Sequence, residues 1–179
     1  MKKLILALLL LVSLAACGCY NNADMGNTPA GKPVQAKEAK QISFIVYRAA
    51  ADGSEKLLPE KITMEDNGKS LPENALNALV STKPQDAKMD DVVPIGTKVL
   101  SLKIDGSGVA YADFSKELAK RGQGSYGEFM LTYAIVNTLT EFPEIKKVQI
   151  LVEGKEIVSL SGHMDLSDPL KRNESLLQK

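Results

Sequence analysis

Apolar positions change their spacing several times along the chain, and each change marks an element. Ile42-Ser43-Phe44-Ile45-Val46-Tyr47 is β-branched and aromatic, which predicts a strand covered in part on both faces. Ala51-Asp52-Gly53-Ser54 reads as a turn, and Leu57 to Met64 as a second strand. Pro59 inside it marks an edge or a strand start, because proline has no N–H to give to a ladder. Ser70-Leu71-Pro72-Glu73 has the spacing of a capping box, and Leu71, Ala75, Leu76, Leu79 and Val80 follow at helical intervals, so a helix is predicted over 71–81. Leu100, Leu102 and Ile104 alternate with polar residues, Asp105-Gly106-Ser107-Gly108 turns the chain, and Val109 to Phe114 returns as a partner strand.

The longest apolar stripe is Leu131, Ile135, Leu139 and Phe142, which predicts a helix over 128–142 that Pro143 stops. Ser125-Tyr126-Gly127-Glu128 has capping-box spacing at its start. Val148, Ile150 and Val152 alternate in another strand, and Gly154-Lys155 turns into a last one over Glu156 to Leu160. The tail from Asp168 is polar and is expected to fray. The order β-β-α-β-β-α-β-β predicts an α+β domain over 41–172, with one mixed sheet and two helices packed on one face, followed by a frayed tail at 173–179.

The first 40 residues follow a different rule. Met1-Lys2-Lys3 is a basic start, and Leu4 to Ala16 is an uncharged Leu/Ala run, shorter than the roughly 20 residues of a spanning helix. It ends in Leu14-Ala15-Ala16-Cys17, which resembles the bacterial lipobox. Residues 1–16 are therefore expected to be a cleaved lipoprotein signal, and Cys17 the thiol that receives a diacylglyceryl group on the outer face of the cell membrane. Two acyl chains matter, because a single chain gives only reversible binding. Residues 17–40 are rich in Gly, Asn, Ala, Lys and Pro and predict a flexible tether, whose root-mean-square span is about 25 Å.

Composition narrows the possible functions. Of 179 residues, removal of 16 leaves 163, enough for one ordinary domain. The chain has 22 basic and 22 acidic residues. Loss of Lys2 and Lys3 leaves 20 minus 22, a net charge of −2, with no basic excess for nucleic acid. Cys17 and Cys19 are the two cysteines, so with lipid on Cys17 the domain holds together without a disulfide and Cys19 is an odd thiol. Gly122-Gln123-Gly124-Ser125-Tyr126-Gly127 matches G-x-G-x-x-G, but no strand precedes it and Val148 falls near the position where a ribose-binding acid belongs, so no cofactor is expected. His163, the one histidine, lies near Asp165 and Asp168 without a metal-ligand spacing or a nucleophile elbow around it. No catalytic, cofactor or metal residue is expected.

Several blocks resemble the GerMN domain family. They are Val93-Pro94-Ile95-Gly96-Thr97-Lys98-Val99-Leu100, Gly108-Val109-Ala110-Tyr111-Ala112-Asp113-Phe114-Ser115, Gly124-Ser125 with Glu128, Ala134 to Pro143, Lys147 to Gly154, and Gly162 to Ser167. The resemblance covers roughly residues 42–172. It implies a lipoprotein of sporulation and germination with a small α+β domain similar to ring-building motifs, which assemble in the envelope between mother cell and forespore. It implies no catalytic residues. The sporulation protein that typifies the family carries two such domains, and this chain has room for one. Two functions follow as expectations. One is a tethered interaction or scaffold module that docks an envelope protein or assembles with itself, through the edge strand at Leu57–Met64 or the exposed side of the 128–142 helix. The other is an envelope enzyme, or a small-ligand or peptidoglycan-binding protein, using the 122–128 loop and His163.

Overall fold

The computed structural model describes residues 40–120 and 124–178. The signal segment, Cys17, the 17–40 tether up to residue 39, and Gly122 and Gln123 of the glycine loop lie outside the described residues. Among the described residues eight strands and two α-helices follow one another: β1 (Gln41–Ala50), β2 (Leu57–Glu65), α1 (Leu71–Ser81), β3 (Met89–Asp90), β4 (Val99–Ile104), β5 (Val109–Phe114), α2 (Gly124–Leu139), β6 (Lys147–Val152), β7 (Lys155–Glu156) and β8 (Leu170–Lys171). Short 3-10 turns occupy Lys116–Ala119 and Glu174–Leu176.

The domain is α+β with two helices, and its strands divide between two sheets rather than joining one. The first is antiparallel in the order β2-β1-β3. The second runs β4-β5-β6-β7, with β5 and β6 parallel across the α2 crossover and β8 beside β6. The 91–97 segment separates them. Thr97 donates to the Pro94 carbonyl from both its N–H (3.1 Å) and its hydroxyl (2.7 Å), a turn that takes the chain off the first sheet before β4 begins. The long helix then packs on both β1 and β6. Leu131, Ala134, Ile135, Val136 and Leu139 are all at most 1% exposed. A helix packed against two sheets has no solvent side, so the exposed flank expected over 128–142 does not exist between Glu128 and Leu139, where no residue is exposed.

Local chemistry sets most element ends. Ser70 caps α1 as the spacing predicts, its hydroxyl accepting from the Glu73 amide at 3.3 Å while the Glu73 carboxylate accepts from the Ser70 amide at 3.2 Å. Leu100 and Ile104, on the edge strand β4, are 50% and 40% exposed. In the β4–β5 turn Asp105 accepts from the amides of Ser107 and Val109. Gly108 follows at φ +87°, where a Cβ would stand 2.9 Å from the Glu144 carbonyl. Its own carbonyl accepts from the Lys146 amide at 2.8 Å, so the turn and the start of β6 are drawn together. Gly108→Ala is expected to cost about 1–3 kcal/mol in urea unfolding, since both the backbone angle and the close approach exclude a side chain.

Two segments differ from expectation. The last hairpin strand stops at Glu156, and residues 157–169 form a loop with Leu166 donating to the Val158 carbonyl at 2.8 Å. The tail does not fray. β8 pairs with β6, Leu176 is buried, and Leu177 bridges to Leu57.

Candidate functional site

Glu128 sits in the first turns of α2 and is 1% exposed. It does not close a capping box with Ser125, because the helix already runs from Gly124 and the carboxylate turns toward the 157–163 loop instead. Oε1 accepts from the Ser159 hydroxyl (2.7 Å) and from the amides of Leu160 (2.9 Å) and Ser161 (3.1 Å). Oε2 accepts from the Ser161 hydroxyl (2.7 Å) and the His163 amide (2.9 Å). Burial by itself would raise the carboxyl pKa. The two serine hydroxyls and the Ser161 and His163 amides outweigh it and hold the pKa at about 2.

Above this carboxylate the loop and Gly124 line an open depression of about 760 Å³ that includes His163. The structure thus brings the described end of the glycine loop and the lone histidine together. Both serine hydroxyls point at a carboxylate, and a group with a pKa of about 2 is a poor proton acceptor near neutrality. The His163 ring is exposed and makes no hydrogen bond among the described residues. Among those residues no group of three or more His, Cys, Asp or Glu is placed to hold a metal. The arrangement fixes a loop.

A second feature lies at the β2 edge of the first sheet. β2 is an edge strand, as Pro59 suggests, and between it and α1 runs a groove of about 470 Å³. Ile62, Thr63 and Met64 form one wall, and Asn74, Asn77 and Ser81 the other. Lys69 is its one charged lining residue. The signal was present in the sequence: positions 74, 77 and 81 share one helix face at i, i+3, i+7, and that face is polar where β2 approaches it.

The Ala134 to Pro143 block that carries the family resemblance is used for architecture. Thr138 accepts from the Tyr47 amide at 2.9 Å, joining α2 to β1. Asn137 takes up the tail by accepting from the Asn173 amide (2.9 Å) and donating to its carbonyl (3.0 Å). Glu141 accepts from the Tyr47 hydroxyl (2.9 Å) and from Arg172 (2.8 Å), whose guanidinium lies 5.2 Å from the Tyr47 ring centre. Burial, and then the Glu141 carboxylate, push the Tyr47 phenol above its ordinary pKa. Asp113 and Ser115 of the second block do similar work, accepting from the Gly154 and Lys98 amides.

Residues 45–158 match the Germane family, described as sporulation and spore germination. The chain belongs to the Germane family. Solved structures agree on the fold of this Germane domain. The first GerMN domain of the sporulation protein GerM from Bacillus subtilis superposes with a TM-score of 0.62 at 25% identity, covering 73% of this chain and 98% of that one. The tandem GerMN domains of the same protein give a TM-score of 0.64 at 24% identity, covering 74% of this chain and 46% of that one. The Germane chain therefore spans under half the length of the tandem structure. A Clostridium perfringens protein described as a "Putative Lipoprotein" gives 0.52 at 24% identity, over 80% and 93% of the two chains. No curated protein matches the sequence. Among the described residues no helix is long and apolar enough to cross a membrane.

Proposed function

We propose that this Germane protein is a lipid-anchored extracytoplasmic module of the bacterial envelope, non-catalytic, which works by docking an envelope partner. One observation carries the reading. Asn137, Thr138 and Glu141 of the block that carries the resemblance are spent on joining elements, while the β2 edge keeps outward backbone groups unpaired among the described residues, beside an open groove. The sporulation and germination description of the family, and the lipobox ending in Cys17, supply the setting. A tether confines the domain to a thin layer outside the membrane, where raised effective concentration makes weak contacts sufficient.

Two experiments test this. Cys17→Ala should move the protein from the membrane fraction to the soluble one, and continued membrane retention counts against the anchor. Pull-down from crosslinked membranes should return a protein partner. If none is returned while His163→Ala abolishes a cellular phenotype at unchanged protein level, the docking reading gives way to a ligand or enzyme role at the 157–163 depression.

A further inference from the structure

The antiparallel ladder between β1 and β2 fixes which backbone groups of β2 face outward. Ala50 donates to the Lys56 carbonyl at 2.9 Å and Asp66 to the Lys40 carbonyl at 2.7 Å, and the register between them is unbroken from Gln41↔Glu65 to Ala49↔Leu57. Even-numbered residues of β2 therefore exchange hydrogen bonds with β1, and the N–H and C=O groups of odd-numbered residues point away from it. At the start of the edge the chain's own tail uses them. Gln178 donates to the Leu57 carbonyl at 3.2 Å and Leu177 bridges to Leu57. Pro59 then has no N–H to offer. Beyond it Lys61, Thr63 and Glu65 are exposed, and their outward amides and carbonyls have no partner among the described residues.

We infer that this stretch takes up a short extended peptide from a partner protein, which adds as a strand to β2 and lies in the groove against α1. The inference rests on the docking reading above and names its site and the chemistry of its partner. Three N–H/C=O pairs repeat at the two-residue interval of a strand, about 6.7 Å apart, and an extended polypeptide presents donors and acceptors at that interval. The open edge is bounded by Pro59 at one end and by the turn after Glu65 at the other, so it suits a segment of about five residues rather than a whole sheet. Alternate side chains of the added strand would turn toward Asn74, Asn77 and Ser81. The Asn77 amide nitrogen is held by the Glu73 carbonyl at 2.7 Å, which leaves its oxygen free to accept. The lining carries one cation, Lys69, and no carboxylate, so the favoured peptide is polar with one acidic residue at the Lys69 end.

The test uses the full chain and a displayed library of random ten-residue peptides. Selected peptides, synthesised singly, should slow hydrogen exchange at the Lys61, Thr63 and Glu65 amides and leave the 157–163 loop unchanged. Thr63→Pro deletes one outward N–H at an edge that already accepts Pro59, and should weaken binding about tenfold. Thr63→Val keeps that N–H and should bind within about twofold of the original. Ser81→Arg fills the groove from the α1 side without changing the β2 backbone, and should likewise weaken binding. The inference is overturned if no peptide is selected, if protection maps to the 157–163 depression, or if Thr63→Pro binds as well as Thr63→Val. Protection given by soluble glycan fragments instead of peptides overturns it, as does self-association of the full chain that Thr63→Pro removes. A crosslinked envelope partner retained by Thr63→Pro would reject this site and keep the docking reading. Loss of every partner from the unaltered chain would reject both.

Discussion

Arg48→Met should lower the stability of the domain by about 3–5 kcal/mol, measured by urea unfolding at neutral pH. Arg48 is 1% exposed on β1, yet it carries a full charge. Its Nε donates to Glu60 Oε2 at 2.9 Å, Nη1 to the Leu79 carbonyl at 2.9 Å, and Nη2 to the Thr82 hydroxyl at 2.7 Å. The other Glu60 oxygen accepts from the Gln85 amide at 2.7 Å, and Glu60 is 6% exposed. The guanidinium thus ties both strands of the first ladder to the last turn of α1. Methionine would fill much of the volume but would leave Glu60 charged and buried opposite an apolar group, with the Leu79 carbonyl also bereft. The pair itself contributes little net energy, because desolvating two charges offsets most of their attraction. Arg48→Met with Glu60→Leu should therefore recover most of the loss, and the two changes should couple strongly in a double-mutant cycle. An Arg48→Met cost below about 1 kcal/mol would mean that water reaches Glu60 and that this account of the ladder is wrong.

The same contrast between local and distant partners explains which parts of the fold were legible in the sequence. Ser70 and Glu73 share their spacing with Ser125 and Glu128. The first pair forms its capping box because nothing else competes for an exposed carboxylate. Glu128 is turned away by donors more than 30 residues further on, and five hydrogen bonds outweigh the one that a cap supplies. Strand and helix periods placed α1, β5 and β6 within a residue, since in each the apolar residues recur at the period of the element. They could not show that α2 is covered from both sides, because Thr132, Asn137 and Thr138 interrupt its apolar surface and are nonetheless fully buried.

The candidate sites divide in the same way. Pro59 announced an edge, and the edge is there. The polar face of α1 at Asn74, Asn77 and Ser81 was legible as a helix face, but that it opposes β2 across a groove needed the tertiary placement of α1. The tail looked frayed because Arg172, Asn173 and Glu174 are polar. Arg172 and Asn173 find their partners in Asn137, Glu141 and Tyr47, far away in the chain, and these hold the tail in place. His163 attracted notice as the one histidine, but what the fold uses is its backbone amide.

Acid should loosen the domain through Glu128. Its folded pKa, about 2, lies below the 4.5 of an ordinary glutamate, so the unfolded chain binds the proton first as pH falls. The stabilisation is complete above about pH 5, declines as pH drops through the interval between the two values, and is gone below about 2. The shift corresponds to about 3 kcal/mol, a figure that applies because the carboxylate is buried. Asp52, Asp66, Asp105, Glu117 and Asp165 are also held below their ordinary pKa, mainly by hydrogen bonds from nearby serines and amides, but none is buried and all are common to the unaltered and altered chains. The difference between chains therefore isolates Glu128. Glu128→Gln should cost about 3 kcal/mol at pH 7, because its amide group turns donors toward the donors of Ser159, Ser161 and His163. It should also lose the steep part of the acid limb, so that the two chains converge in stability near pH 2. Parallel curves from pH 7 to 2 would show that the 157–163 loop is held by its own backbone rather than by this carboxylate.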